Sequence, residues 1–152
     1  MYRFAQIVAL IAASVLLLQP VWAARWPFIE RLVGLDRLMR FHKWTGIVGY
    51  SLILVHAGIM LWYFRTALTF IFSWSWYLLG PVALGIMTAI VLVTVLRQRL
   101  HLPYHWWKRL HQLMSVALLV GFLHSFFVGS DLAQGPLRYY WIGLASVVTI
   151  SF

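Results

Sequence analysis

The sequence contains no cysteine, and only three of its 152 residues are acidic: Glu30, Asp36 and Asp131. Without cysteine the chain cannot form disulfides, ligate an iron–sulfur cluster or use a thiol in catalysis. Three carboxyl groups leave little for carboxylate acid–base chemistry, and no glycine-rich phosphate loop is present. These absences exclude thiol chemistry and give no support to a phosphate-loop enzyme.

Charged residues of both signs are scarce, at 10% of the chain, whereas 63% of the residues are hydrophobic. A soluble domain normally carries about a quarter charged residues. We therefore interpret residues 1–152 as one polytopic membrane domain. The net charge of +9 is then better explained by the positive-inside rule than by nucleic-acid binding.

Five apolar segments predict an all-α transmembrane bundle, because crossing a hydrocarbon core of about 30 Å takes roughly 20 helical residues. The fifth segment has only sixteen residues before the chain ends, and we interpret it as a span cut within a longer protein. The first carries a weak secretory-signal pattern, but the arginine-rich stretch after it favours a retained helix. The predicted segments are residues 4–24, 44–64, 74–96, 110–127 and 137–152.

The distribution of lysine and arginine predicts the orientation of the spans. Loops 25–43 and 97–109 together hold nine basic residues, whereas the other side has only Arg3, Arg65 and Arg138. The nine-charge side should be cytoplasmic, with the N-terminus outside and the C-terminus inside. Residues 25–41 are amphipathic and are expected to lie at the lipid interface.

Four histidines form a matched pattern on two of the predicted spans. His42 and His56 are fourteen residues apart, and His111 and His124 are thirteen apart, so the separations are about 21 Å and about 20 Å. A histidine inside a membrane span is costly and usually has a partner or a cofactor. If the two helices run parallel, His42 can face His111 and His56 can face His124. Each pair could then hold the iron of a haem.

The spacing of the second pair predicts an irregular helix. Fourteen steps of about 100° nearly restore one helix face, whereas thirteen steps leave His124 about 140° from His111. The fourth span therefore needs a bend or a bulge, for which Gly121 is the candidate, or its two histidines approach their irons from different flanks.

The other histidines and the tryptophans have simpler interpretations. His101 and His105 flank Pro103 in a predicted cytoplasmic loop and are interpreted as interfacial residues. The nine tryptophans lie near predicted helix ends, which is typical of an aromatic belt rather than of an electron relay. A non-enzymatic bundle whose histidines only join neighbouring helices, or a small transporter, remains an alternative hypothesis, and it predicts a colourless protein.

Two stretches resemble the haem helices of the ferric-reductase-type transmembrane domain found in NADPH oxidases and ferric-chelate reductases. The resemblance rests on the Asp-Arg and Phe-His-Lys motifs and on gaps of thirteen and twelve residues between histidines. It implies two b-type haems stacked through the bilayer. His42 and His111 would hold the haem on the cytoplasmic side. His56 and His124 would hold the outer haem. The stretches are LDRLMRFHKWTGIVGYSLILVH at residues 35–56 and YHWWKRLHQLMSVALLVGFLH at residues 104–124.

The resemblance also implies an oxidoreductase that moves electrons across the membrane from NADPH through FAD. Both cofactors are expected on a C-terminal cytoplasmic domain or a separate subunit, and the outer acceptor would be oxygen or ferric iron. Arg37 and Arg40 could pair with haem propionates or with an acidic donor surface. No side chain is expected to act as a catalytic residue. Met60 stands where the oxidases have a further histidine, and Arg3 is only an approximate counterpart of their outer arginine. Both departures favour ferric iron or another acceptor over oxygen.

A related haem subunit is the second functional hypothesis. It would pass quinol electrons to a periplasmic reductase, as in the methionine-sulfoxide reductase system. The first histidine motif of that family differs, so Phe41, His42 and Lys43 argue against it.

Overall fold

The regular secondary structure in the described part of the chain is all helical. The structure is a computed structural model that describes residues 1–24, 26–65, 75–129, 135 and 137–150, without the side chains of 75 and 147–150. Arg25, Asp131 and Phe152 lie outside the described residues. The all-α class is thus confirmed. The described helices are α1 (Tyr2–Leu17), α2 (Gln19–Ala23), α3 (Pro27–Val33), α4 (Leu35–Tyr63), α5 (Ser75–Leu96), α6 (Tyr104–Gln112), α7 (Met114–Val128) and α8 (Leu137–Ile150).

Four helical stretches of the described chain are long and apolar enough to cross a membrane: Tyr2–Ala23, Leu35–Tyr63, Trp76–Leu96 and Tyr104–Val128. These stretches identify a multi-pass integral membrane protein. Helix α8 is described over only 14 residues, which is shorter than a membrane span. The fifth span therefore stays a prediction.

The second span begins earlier than its hydropathy predicts. Helix α4 starts at Leu35 rather than near Trp44, so the end of the predicted interfacial segment is continuous with the span. Gly34, with φ 83°, separates α3 from α4 in a backbone conformation that favours glycine. Asp36 in the first turn suits the positive end of the helix dipole. Gly34 and Asp36 therefore mark the start of α4, whereas an average of hydropathy detects only the apolar part of this helix.

The chain divides into two compact units, the first formed by Met1–Leu68 with Gly135–Phe152 and the second by Thr69–Gln134. In the first unit, α1 and α2 pack along α4. A stripe of buried residues at steps of three and four covers one face of this pair: Ala5, Val8, Ala12, Leu16 and Gln19. Ala5 contacts His56 while Gln19 contacts Thr45, so the two helical stretches run antiparallel.

The second unit is built mainly from α5 packed against α7. Small residues allow their close approach, since a Cβ at Gly121 would lie 3.7 Å from the Cβ of Ala83. Trp76 at the start of α5 stacks on Phe127 at the end of α7, with ring centroids 4.0 Å apart. The helices of this unit are therefore also antiparallel.

Candidate functional site

The six histidines fall into two groups by exposure. His42, His56, His111 and His124 are half-buried, whereas His101 and His105 are exposed. The half-buried group contains the four predicted ligands, two in each unit. The exposed pair fits the interfacial interpretation.

His56 is held by the backbone of the neighbouring helix. Its Nδ1 lies 2.9 Å from the carbonyl oxygen of Ala5. Because a carbonyl oxygen only accepts, Nδ1 is inferred to donate its proton, which makes Nε2 the unprotonated nitrogen. Nearby, Tyr2 packs on Tyr63 and Phe64 at the end of this helix pair. The bond to Ala5 fixes the imidazole of His56 in the tautomer that ligates metal through Nε2.

His124 is held in the same way in the second unit. Its Nδ1 lies 3.0 Å from the carbonyl oxygen of Trp76, so Nδ1 again donates and Nε2 keeps its lone pair. The Trp76–Phe127 stack lies beside this bond and fixes the backbone that accepts it. Both deeper histidines therefore present the same nitrogen chemistry.

Gly80 makes room for the ring of His124. A Cβ at position 80 would lie 2.9 Å from both Cε1 and Nε2 of that ring and 3.2 Å from Cδ2. Similar distances to three ring atoms place Gly80 over the ring face, not on the in-plane axis of the Nε2 lone pair. Since any side chain at position 80 would collide with the imidazole, glycine is needed for this histidine conformation.

His42 occupies the other end of α4, beside α2. Its imidazole contacts the backbone of Gln19. Gln19 is buried, and its side-chain amide donates to the hydroxyl of Thr45 at 2.8 Å. Ala5 and Gln19 are separated by fourteen residues, as are their two histidine partners. The stretch formed by α1 and α2 runs antiparallel to α4 and rises by nearly the same length between these two contacts. Its backbone therefore contacts both histidines of α4.

His111 lies next to an aromatic side chain of its own helix. It stacks on Trp107, one turn earlier in α6, with ring centroids 5.3 Å apart and an angle of 21° between the rings. The indole nitrogen of Trp107 in turn donates to the hydroxyl of Thr94 at 3.3 Å. The ring of His111 is thus oriented by a side chain that is itself tied to α5.

The helix that carries His111 and His124 is interrupted between them, as their spacing predicts, but at Leu113 rather than at Gly121. Leu113 separates α6 from α7, and its amide donates to the carbonyl of Leu110, three residues earlier. Residues in such a turn advance by about 120° instead of about 100°. The turn therefore carries His124 back toward the face of His111.

Arg37 and Arg40 lie at the start of α4 and line an open cavity of about 420 Å³. Both side chains are exposed. Their predicted pairing with haem propionates stays a prediction.

Among the described residues, no group of three histidine, cysteine or acidic side chains could hold a metal ion. A haem iron needs fewer protein ligands, since histidine supplies only an axial ligand. The imidazoles of His56 and His124, which are oriented through Nδ1 by backbone carbonyls, fit this requirement of a haem.

Residues 7–122 match a protein family described as the ferric reductase like transmembrane component. The chain belongs to this family. No curated protein matches the sequence. The segment that matches the ferric-reductase-like family includes His42, His56 and His111, and His124 follows it by two residues. The resemblance of the two histidine stretches to this type of domain is thereby confirmed.

The site of this ferric-reductase-like chain includes groups that the sequence analysis missed. The carbonyl groups of Ala5 and Trp76 have no sequence signature, because every residue has a carbonyl group. From the sequence alone, Trp107 is interpreted as a belt residue and Gly80 is assigned no role. The contact of Gly80 with His124 depends on how α5 and α7 pack, and the stack of Trp107 on His111 depends on side-chain rotamers.

Proposed function

We propose that this chain carries electrons across the membrane through two b-type haems. The main support for this proposal is the orientation of His56 and His124. Each is half-buried in its own unit and donates Nδ1–H to a backbone carbonyl of an antiparallel helix. Ligating histidines commonly donate their second nitrogen in this way, which fixes the ring and raises its basicity. Membership of the ferric-reductase-like family supports the same function.

In this proposal the four half-buried histidines would hold the two haems. His42 and His111 would hold the haem near the basic residues, and His56 and His124 would hold the haem on the far side. The iron would supply one-electron transfer by cycling between its ferric and ferrous states. The chain itself contributes four oriented imidazoles, with their protons kept on Nδ1 in the two deeper ones. It also surrounds them with apolar side chains, which lower the local dielectric constant.

We further propose that electrons enter from a flavin on a cytoplasmic domain or partner subunit and leave to ferric iron or oxygen. The basic residues Arg97, Arg99, Lys108 and Arg109 near His111 would face the negatively charged donor. Ferric iron is the first choice of acceptor, because Met60 stands where the oxidases have a histidine. Mixing the dithionite-reduced protein with a ferric chelate or with oxygen, and following the haem absorbance, compares the two acceptors directly.

Haem content tests the proposal. The purified chain, expressed with ample haem, should show reduced-minus-oxidised bands of low-spin b haem, and pyridine hemochrome analysis should give two haems per chain. His56→Ala and His124→Ala each remove one axial ligand of the same haem. Each variant should therefore contain about half of the wild-type haem, since removing a ligand prevents stable binding.

His105→Ala is the matched control, because His105 is exposed and should leave haem content unchanged. A colourless wild-type protein would contradict the proposal and favour a bundle whose histidines only join helices. One haem per wild-type chain would contradict the pairing of the four histidines.

A further inference from the structure

Trp107 has a set of contacts that an aromatic belt does not require. It is half-buried, stacks on His111 and donates its indole N–H to Thr94 of α5. The guanidinium of Arg97 lies over the same indole, 5.0 Å from the ring centroid. Belt tryptophans need only one polar neighbour at the interface, whereas three separate groups fix the position of Trp107.

Arg97 is itself fixed by the loop between α5 and α6. Its Nε donates to the carbonyl of Leu102 at 3.4 Å, and its guanidinium also lies over the ring of Tyr104. The amide of Leu102 donates back to the carbonyl of Arg97 at 3.1 Å. Since the backbone and the side chain of Arg97 both bond to Leu102, the loop holds the cation where it covers Trp107. A cation over an indole face contributes about 0.5–1 kcal/mol at exposed sites and more when desolvated.

We propose that Trp107 is a positioning residue for His111, with Thr94 and Arg97 holding the indole in place. The inference rests on the proposed function, in which His111 is an axial ligand of the inner haem. Thr94 in the last turn of α5 and Arg97 at the start of the α5–α6 loop fix the indole, and the indole fixes the plane of the imidazole stacked on it. Backbone carbonyls orient His56 and His124, whereas an aromatic ring orients His111.

The orientation of an axial imidazole has a spectroscopic consequence that haem occupancy alone does not have. The g-values of a low-spin ferric haem depend on the planes of its two axial rings, and its midpoint potential depends on ligand orientation and on the surroundings. Trp107→Ala should therefore change the g-values and the potential of one haem and leave those of the other unchanged. Trp107→Phe keeps an aromatic ring against His111 and should retain signals close to wild type.

The experiment is electron paramagnetic resonance and an optical redox titration of the full-length haem-loaded protein. The matched control is Trp106→Ala, which removes an exposed neighbouring indole that contacts Arg109 and His105. Thr94→Val tests the support of the indole without touching the stack, and it should shift the same haem signal by less than Trp107→Ala. If Trp107→Ala does not fold, small shifts of the same haem signal in Thr94→Val and in Trp107→Phe, which both lose the bond between the indole and Thr94, with none in Trp106→Ala, support the proposal.

Identical spectra and potentials in Trp107→Ala and Trp106→Ala would overturn the inference. So would a Thr94→Val protein identical to wild type when Trp107→Ala cannot be purified. These outcomes presuppose two haems in the wild-type protein. A wild-type chain without haem instead contradicts the proposed function, so the two failures are distinguishable.

Discussion

At the scale of single residues, the conformation of a histidine here depends on groups that carry no charge and little chemistry. His124 is set by a carbonyl oxygen at Trp76 and by the missing side chain of Gly80. The carbonyl group selects the tautomer of the imidazole, and the glycine leaves space for the ring. A substitution at either place can therefore displace a ligand without altering the histidine.

Gly80→Ala should disturb the haem that His124 is proposed to bind. The added methyl group would lie 2.9 Å from two ring atoms, so the ring must rotate or the helices must separate. We expect loss of up to half of the bound haem, or a changed low-spin spectrum of the outer haem, measured by pyridine hemochrome analysis and electron paramagnetic resonance.

The control for this change is Gly85→Ala in the same helix. A Cβ at Gly85 meets no atom within 4 Å, and alanine favours a helix more than glycine does. This variant should keep both haems. Equal haem content and spectra in both alanine variants would contradict the role assigned to Gly80.

Sequence reasoning identified the four half-buried histidines but not the groups that orient them. The histidines were visible because a costly residue recurs at matched spacing on two apolar segments. Ala5 and Gln19 were invisible as backbone partners, because a carbonyl contact depends on the register between helices and not on side-chain type. Trp107 was visible only as a belt residue, since its stack with His111 depends on rotamers.

At the scale of helices, close approach of α1 to α4 places Ala5 beside His56. Gly49 is buried on α4, and a Cβ there would lie 2.8 Å from Cγ and Cδ2 of Leu16. The contact lies between the two ends of the pair, where Gln19 and Ala5 meet the histidines. Small residues let membrane helices approach closely in this way.

Gly49→Ala should destabilise the first unit. Overpacking of a close contact typically costs about 1–3 kcal/mol, which exceeds the gain in helix propensity of about 1 kcal/mol or less. We expect a lower Tm in detergent, followed by fluorescence-detected size-exclusion chromatography after heating. Gly58→Ala, where a Cβ meets no atom within 4 Å, should leave the Tm unchanged or raise it. A Gly49→Ala protein as stable as Gly58→Ala would show that this contact is loose.

Helix boundaries could be predicted only in part. Hydropathy located the four long apolar helices, but it placed the start of the second near Trp44 because an average over apolar residues excludes the basic first turns of α4. The spacing of His111 and His124 predicted an irregularity, and Gly121 was the wrong position for it. Gly121 instead packs against Ala83, which shows that a glycine inside a membrane helix can serve packing rather than bending.

At the scale of the whole molecule, the basic residues and the histidines occur in the same order in each unit. Arg37, Arg40 and Lys43 lie near His42, and Lys108 and Arg109 lie near His111. His56 and His124 lie further along helices that start at these basic ends. If the basic ends face the cytoplasm, the proposed electron path runs from the cytoplasm to the outside.

The absence of cysteine makes this orientation directly measurable, because one introduced cysteine is the sole thiol. Arg65→Cys and Gln98→Cys replace exposed residues at the far end of α4 and just after α5. A membrane-impermeant maleimide should label Arg65→Cys in intact cells, and it should label Gln98→Cys only after the membrane is opened. The prediction that nine basic residues lie on the side of Gln98 leads to this expectation, since positive loops stay in the cytoplasm. The reverse pattern would place the flavin donor outside and contradict the direction of electron flow.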